Sequence, residues 1–363
     1  MKKLIFEPVD TLFFRDGRPF NQGEGTAGIE SLFPPSPLSM VGAARASWAT
    51  RLGWPGKGRW TDAICTQLGG DGKELDNLRF IGPLLEHDGS SYFPAPASLV
   101  GINKNDCTVS DLNILRPGDP VQCDLGEAVR LPYPKTKMAI VQKQKRLGGW
   151  WISQKGMHQL LQNSPPANST LIHQSQLWSM EPRVGNQINN TTGTVEEGML
   201  YSIQHVRLQE DVKLVMGIEG TLDGFPEKAL TPLGGEARIC HMTLESGDIC
   251  LPKKPSFRPK RGKIRYAVYV ITPLRTTTPP QPNLMFSKLP GTVVSACLPT
   301  AQRWGGWDSI AFKPLPMTPH LPPGSVLFME TESKNKNTVA DLHGQQIGEL
   351  TTWGYGLIAI GQW

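Results

Sequence analysis

The chain has 363 residues, enough for two domains with a core each, and its 39% apolar and 19% charged content with 38 Gly and 32 Pro suits a loop-rich globular protein, not a disordered one. No apolar run reaches the length of a membrane span, and Glu7, Pro8 and Asp10 interrupt the N-terminus before a signal-peptide core can form, so a cytoplasmic protein without a membrane partner is expected. The formal net charge of +5 hides an asymmetry: residues 128–180 and 249–307 contain no acid but carry seven and ten basic residues, which leaves 20 Lys and Arg against all 32 Asp and Glu elsewhere. A polyanion is the natural partner of two such segments, because Lys and Arg gain affinity by releasing phosphate counterions; the bland alternative, above all for 253–263, is a solvated basic loop.

In chain order, residues 3–9 read as a first strand, broken by Pro8. Asp16-Gly17 marks a turn, and 21–35 is a long loop. Phe13 and Phe14 suit either base stacking or core packing, with Arg15 and Arg18 beside them to hold phosphates. The clearest helix follows: Ser36 caps it, Pro37 takes its first position, Leu38, Val41, Ala44, Trp48 and Leu52 form the apolar stripe, and Gly53 stops it. Its N-terminus, with the hydroxyls of Ser36 and Ser39, is a ready phosphate site, although most capped helices bind nothing there. Gly42 allows something to approach the helix closely.

Residues 62–68 read as a short helix, 79–85 and 91–100 as strands, and 153–161 as a capped helix after Trp150-Trp151. Residues 189–193 are a polar turn. Residues 199–208 alternate like a strand, and 212–218 can pair with it across Gln209-Glu210-Asp211 as a hairpin. Leu233-Gly234-Gly235-Glu236 turns into another strand, 264–274 is the strongest strand signal, and 309–312 and 325–331 continue the sheet. The chain closes with a helix over 337–343, the glycine-rich Trp353-Gly354-Tyr355-Gly356, and an apolar strand. That loop reads either as exposed backbone that meets nucleic acid or as a tight turn with core aromatics. Strands alternating with few helices make an α+β plan.

The six cysteines show no CxxC pair, and Cys240-His241 with Cys250 is only a partial ligand set, so reduced thiols are expected and no metal centre. Carboxylates do not cluster as two-metal ligands would.

Several motifs then coincide in order and spacing. They are the N-terminal stretch Phe6-Glu7-Pro8-Val9-Asp10-Thr11-Leu12-Phe13-Phe14-Arg15-Asp16-Gly17-Arg18-Pro19-Phe20, the helix from Pro35-Ser36-Pro37-Leu38 through Gly42 to Arg45, Arg183-Val184-Gly185 with Gly198-Met199-Leu200-Tyr201, Leu233-Gly234-Gly235-Glu236, and Gly354-Tyr355-Gly356. Together they resemble the RAMP-superfamily CRISPR protein that forms the third subunit of the Cmr module; Asn186 departs from the aliphatic residue expected there. The resemblance spans the chain and implies two ferredoxin-like (RRM-type) domains with loop and helical insertions, expected at 1–180 and 181–363. It implies a non-catalytic subunit of a type III-B RNA-targeting effector that holds the 5′ tag of the CRISPR RNA and contacts the large polymerase-like subunit and a backbone RAMP subunit. The expected RNA-binding residues are Arg15, Arg18, Ser36, Ser39, Arg45, Lys135, Lys137, Lys143, Arg183, Arg207, Arg238, Trp353, Gly354, Tyr355 and Gly356. Some relatives in the superfamily cleave RNA without metal, which makes His173, His205 and His241 the candidates for an alternative endoribonuclease. Nothing pairs them with a base or nucleophile at recognisable spacing, so no catalytic residue and no cofactor are expected; a structural bridge whose basic segments meet acidic protein surfaces is the third reading.

Overall fold

The computed structural model describes residues 1–15, 30–70, 74–105, 108–123, 126–134, 144–276, 286, 288–308 and 313–363. The Asp16-Gly17 turn, the strand expected over 309–312, and Arg18, Lys135, Lys137 and Lys143 lie outside them. Strands dominate and helices are few. The chain divides into two units, and the division does not follow a single cut after residue 180. One unit comprises Met1–Pro83, Leu177–Asp248 and Trp304–Met317; the other comprises Leu84–Gln176, Ile249–Arg303 and Thr318–Trp363.

In the first unit Leu4, Ile5 and Phe6 are buried in succession, so their strand needs neighbours on both edges. Lys2–Pro8 pairs antiparallel with Val212–Glu219 on one edge and with Ile239–Ser246 on the other, which sets Leu4 opposite both Met216 and Leu244. Counted along the chain, the strands Lys2–Pro8, Arg79–His87 (its first half in this unit), Val212–Glu219 and Ile239–Ser246 lie in the order fourth, first, third, second, with Lys228–Pro232 outside the fourth. Between the first two runs the helix Pro37–Arg51, which Ser36 caps by accepting from the Ser39 amide at 3.2 Å, buries Val41, Ala44 and Trp48 and ends before Gly53 at φ +96°. The short helix Asp62–Leu68 matches the expected one.

The hairpin expected between 199–208 and 212–218 does not form. Val195–Leu208 pairs instead with Trp178–Ile188 across the 189–193 turn, as a two-stranded ribbon. Leu214, Val215, Met216 and Ile218 are all buried, so that strand goes to the interior of a sheet, whereas the ribbon exposes Val184, Ile188 and Val195. Within the ribbon Gly185 faces Tyr201, whose ring fills the space a Cβ would need, so two motifs read separately in the sequence are cross-strand neighbours.

The second unit repeats the strand order. Lys263–Val270, with Tyr266, Val268 and Val270 buried, pairs antiparallel with Val326–Glu332 and with Ile358–Gln362, and Thr292–Cys297 lies beyond Val326–Glu332. Counted along the chain this is again fourth, first, third, second. The helix Lys336–Asp341 follows the third strand and packs Val339 with Ile347, Ile358 and Ile360. The long ribbon of Thr108–Cys123 with Gly126–Pro134 carries no clear sequence period, because prolines and register shifts interrupt it.

The terminal loop is folded inward. Trp353 and Tyr355 are 6% and 1% exposed, and Gly354 and Gly356 are buried at φ +100° and +69°. Gly356 N donates to the Pro273 carbonyl at 2.9 Å, Thr272 Oγ1 donates to the Gly354 carbonyl at 2.8 Å, and Leu357 N donates to Thr272 Oγ1 at 2.9 Å. The expectation that these four residues face RNA is therefore corrected: the closing strand Ile358–Gln362 pairs with Lys263–Val270 at one end of the sheet, and the hydrogen bonds to Thr272 and Pro273 draw the turn before it inward. A Cβ on Gly356 would collide with the Ile347 carbonyl oxygen. Gly356→Val is accordingly expected to destabilise the chain by about 2 kcal/mol or more through backbone strain and overpacking. Urea denaturation measures this, and unchanged stability would refute the inward-facing turn.

Candidate nucleic-acid interface

The first unit gathers three of the expected arginines. In the ribbon register Glu181 lies opposite His205 and Arg207 opposite Ser179, so Glu181, Arg183, His205 and Arg207 share one face. Asp10, in the turn after the first strand, meets that face. Arg183 Nη2 lies 2.8 Å from Glu181 Oε1 and 3.1 Å from Asp10 Oδ2. Arg207 donates from Nε to Glu181 Oε2 at 2.7 Å and from Nη2 to Asp10 Oδ1 at 2.9 Å, and Arg238 Nη1 stands 3.7 Å from Asp10 Oδ2. Three guanidiniums thus share two carboxylates, and the set keeps a surplus positive charge. The Arg207 hydrogen bond, then that of Arg183, holds the Asp10 carboxyl down at about 2 against the desolvation that opposes it; the same two arginines lower Glu181.

His205 lies beneath this face, 0% exposed, hydrogen-bonded through Nδ1 to Thr11 Oγ1 at 2.9 Å and stacked on Phe13 at 5.4 Å. Burial, reinforced by the positive charge of Arg238 and Arg183, pushes its pKa down, so the ring is a neutral, enclosed imidazole. His173 bonds Ser175 Oγ at 3.0 Å and sets its ring edge against Trp150; His241 is exposed on the strand paired with Lys2–Pro8. Among the described residues no three His, Cys, Asp or Glu side chains converge as metal ligands would.

The other expected contacts divide. Arg15 is exposed. The hydroxyls of Ser36 and Ser39 lie 3.0 Å from each other at the helix start. Arg45 is corrected as an RNA contact: it is 3% exposed, with Nη2 donating to the carbonyls of Leu68 at 2.8 Å and Gly70 at 2.9 Å, and its guanidinium lies 4.7 Å from the Trp60 ring centre. The glycine turn at Leu233–Glu236 is also internal in purpose. Gly234 has φ +85°, a Cβ there would strike the Phe13 carbonyl oxygen, and Gly235 N donates to that same oxygen at 2.7 Å. Sequence reasoning missed Asp10 and Glu181; the signal for Glu181 was its two-residue spacing from Arg183, which puts both on one side of a strand.

The chain can now be set beside known proteins. A family model described as CRISPR-associated protein (Cas_Cmr3) matches residues 4–363. No curated protein sequence matches the chain. Among solved structures, a cryo-EM structure of the type III-B Cmr-beta bound to cognate target RNA and AMPPnP contains a chain with TM-score 0.51 at 15% identity, covering 93% of this chain and 87% of that one. A second, of the type III-B Cmr-beta bound to cognate target RNA, gives TM-score 0.50 at 17% identity over 90% and 86%. At these identities the likeness is one of fold.

The ion-pair set makes a pH prediction. Folding lowers the Asp10 pKa from 3.8 to about 2, so its pairs stabilise the fold fully above the upper value and cease to as pH falls through the lower one. The carboxylate is nearly half exposed, so solvent screening limits this to about 1 kcal/mol or less at neutral pH. Urea denaturation of wild type and Asp10→Asn between neutral and strongly acid pH should show stabilities that converge at the acid end; a gap independent of pH would contradict the assignment.

Proposed function

The chain belongs to the Cas_Cmr3 family of CRISPR-associated proteins, and on that footing we propose that it is a non-catalytic subunit of a type III-B RNA-guided, RNA-targeting effector in the cytoplasm. It holds the 5′ tag of the CRISPR RNA and bridges the large polymerase-like subunit to a backbone RAMP subunit. The observation that carries this reading is the family match across residues 4–363. Two sheets with the strand order fourth, first, third, second support two ferredoxin-like halves with insertions, the second retaining a helix between its third and fourth strands. The enclosed, uncharged His205 supports a packing role for that histidine rather than general acid–base work.

The RNA contacts we assign to this chain are Arg183, Arg207 and Arg238, with Arg15, Ser36 and Ser39; Arg18, Lys135, Lys137 and Lys143 join them from the sequence reading. Asp10 and Glu181 orient the forks of Arg183 and Arg207 before RNA arrives, and phosphates compete with them for the same N–H donors. Replacing Arg183, Arg207 and Arg238 together by Ala is expected to weaken binding of tag-bearing single-stranded RNA roughly tenfold or more and to reduce the salt slope by about 2, near 0.7 per lost phosphate contact. The pair Asp10→Asn with Glu181→Gln frees the arginines and is expected to tighten binding. Fluorescence anisotropy at several salt concentrations measures both; affinity and slope unchanged in both variants would overturn the assignment of these arginines.

A further inference from the structure

The second unit contains an open cavity of about 610 Å³ whose described lining includes none of the expected contacts. Its wall carries five cationic side chains, Arg116, Arg258, Lys260, Lys263 and Arg265, and none of the described lining residues is acidic. Lys263 and Arg265 share the single carboxylate of Glu330, at 3.1 and 2.9 Å. Arg116, Arg258 and Lys260 have no carboxylate partner among the described residues. Arg116 is half-buried and fixed, with Nε donating to Asn163 Oδ1 at 2.7 Å and Nη2 to the Asn163 carbonyl at 3.1 Å, both neutral acceptors. A guanidinium withdrawn from water, aimed by neutral groups and left uncompensated, is suited to receive an anion.

Aromatic surface adjoins these charges. Tyr133 is 53% exposed at the cavity wall. Trp363 is held by its ring N–H donating to the Met329 carbonyl at 3.1 Å, and the Arg265 guanidinium lies 5.0 Å from its ring centre. An open basic trough beside an exposed ring matches the way single-stranded nucleic acid is bound, backbone to cations and bases to π-faces. An acidic peptide would use the cations but not the ring.

We infer that this cavity is a second single-stranded RNA site, in which Arg116, Arg258 and Lys260 take backbone phosphates and Tyr133 stacks a base. The inference rests on the RNA-subunit reading for its ligand class but not on the Asp10–Arg207 cluster. In the sequence Arg258 and Lys260 stand out only as part of a basic segment, because Arg116 and Tyr133 are distant from them along the chain and join them only through the fold.

The test uses the full chain and a fluorescent single-stranded oligoribonucleotide, with polyglutamate as competitor. Arg258→Ala with Lys260→Ala, both exposed positions, is expected to lower affinity and to reduce the salt slope by about 1.4, near 0.7 per contact. Tyr133→Ala is expected to lose roughly tenfold in affinity, with Tyr133→Phe close to wild type because the ring remains. If these variants bind like wild type while the Arg183, Arg207 and Arg238 triple variant loses RNA, the second site is overturned and the proposed function stands. If the wild-type chain binds no single-stranded RNA, both fall. Polyglutamate binding that depends on Arg258 and Lys260, with RNA binding that does not, would make the cavity a protein-docking site and overturn the inference.

Discussion

In both units the strand that comes first in the sequence of its sheet ends up inside the sheet, and a buried strand must satisfy hydrogen bonds along both edges. Lys2–Pro8 finds its neighbours more than two hundred residues later, in Val212–Glu219 and Ile239–Ser246. Lys263–Val270 finds its own in Val326–Glu332 and Ile358–Gln362. Everything between must leave and return. The interleaving of the two units follows from this, as does the inward pull on the turn before the closing strand.

The same constraint builds the charged cluster. Asp10 sits two residues beyond the end of the first strand, and the return of the chain through Val195–Leu208 brings Arg207 to it; the pairing of Trp178–Ile188 with that strand adds Glu181 and Arg183. Leu12 and Val206 exchange backbone hydrogen bonds at 2.8 Å, fixing the register at which Asp10 and the arginines meet. Beneath them the ordered imidazole of His205 and the ring of Phe13 give the face an apolar floor. Electrostatics here are a matter of share: two carboxylates hold three guanidiniums in place without cancelling them.

Much of the local structure is legible in the sequence because its causes are local. Ser36-Pro37 announces a helix start through a cap and a fixed φ, and the stripe of Val41, Ala44 and Trp48 declares its buried side. The β-branched run at 264–270 announces a central strand. What is not legible depends on partners far away. The alternation of 199–208 was clear, but its partner was Trp178–Ile188 and not the nearer 212–218, because only burial in the finished sheet decides which strand is central. Arg45 looks like any arginine one turn from a glycine, yet the backbone carbonyls of Leu68, Gly69, Gly70 and Glu74 take up its guanidinium. Gly354 and Gly356 are needed for their positive φ, a reason that glycine serves equally in a ligand-facing loop and in a buried turn.

The ribbon face carrying Arg183 and Arg207 is proposed to meet the 5′ tag of a guide RNA within an effector assembly. The direct measurement is photo-crosslinking of the assembled complex with a CRISPR RNA carrying 4-thiouridine in its tag, followed by mass spectrometry of the adducts. The account predicts tag adducts on this chain within the ribbon strands Trp178–Ile188 and Val195–Leu208. A fully assembled complex whose tag adducts fall entirely on other subunits would contradict it.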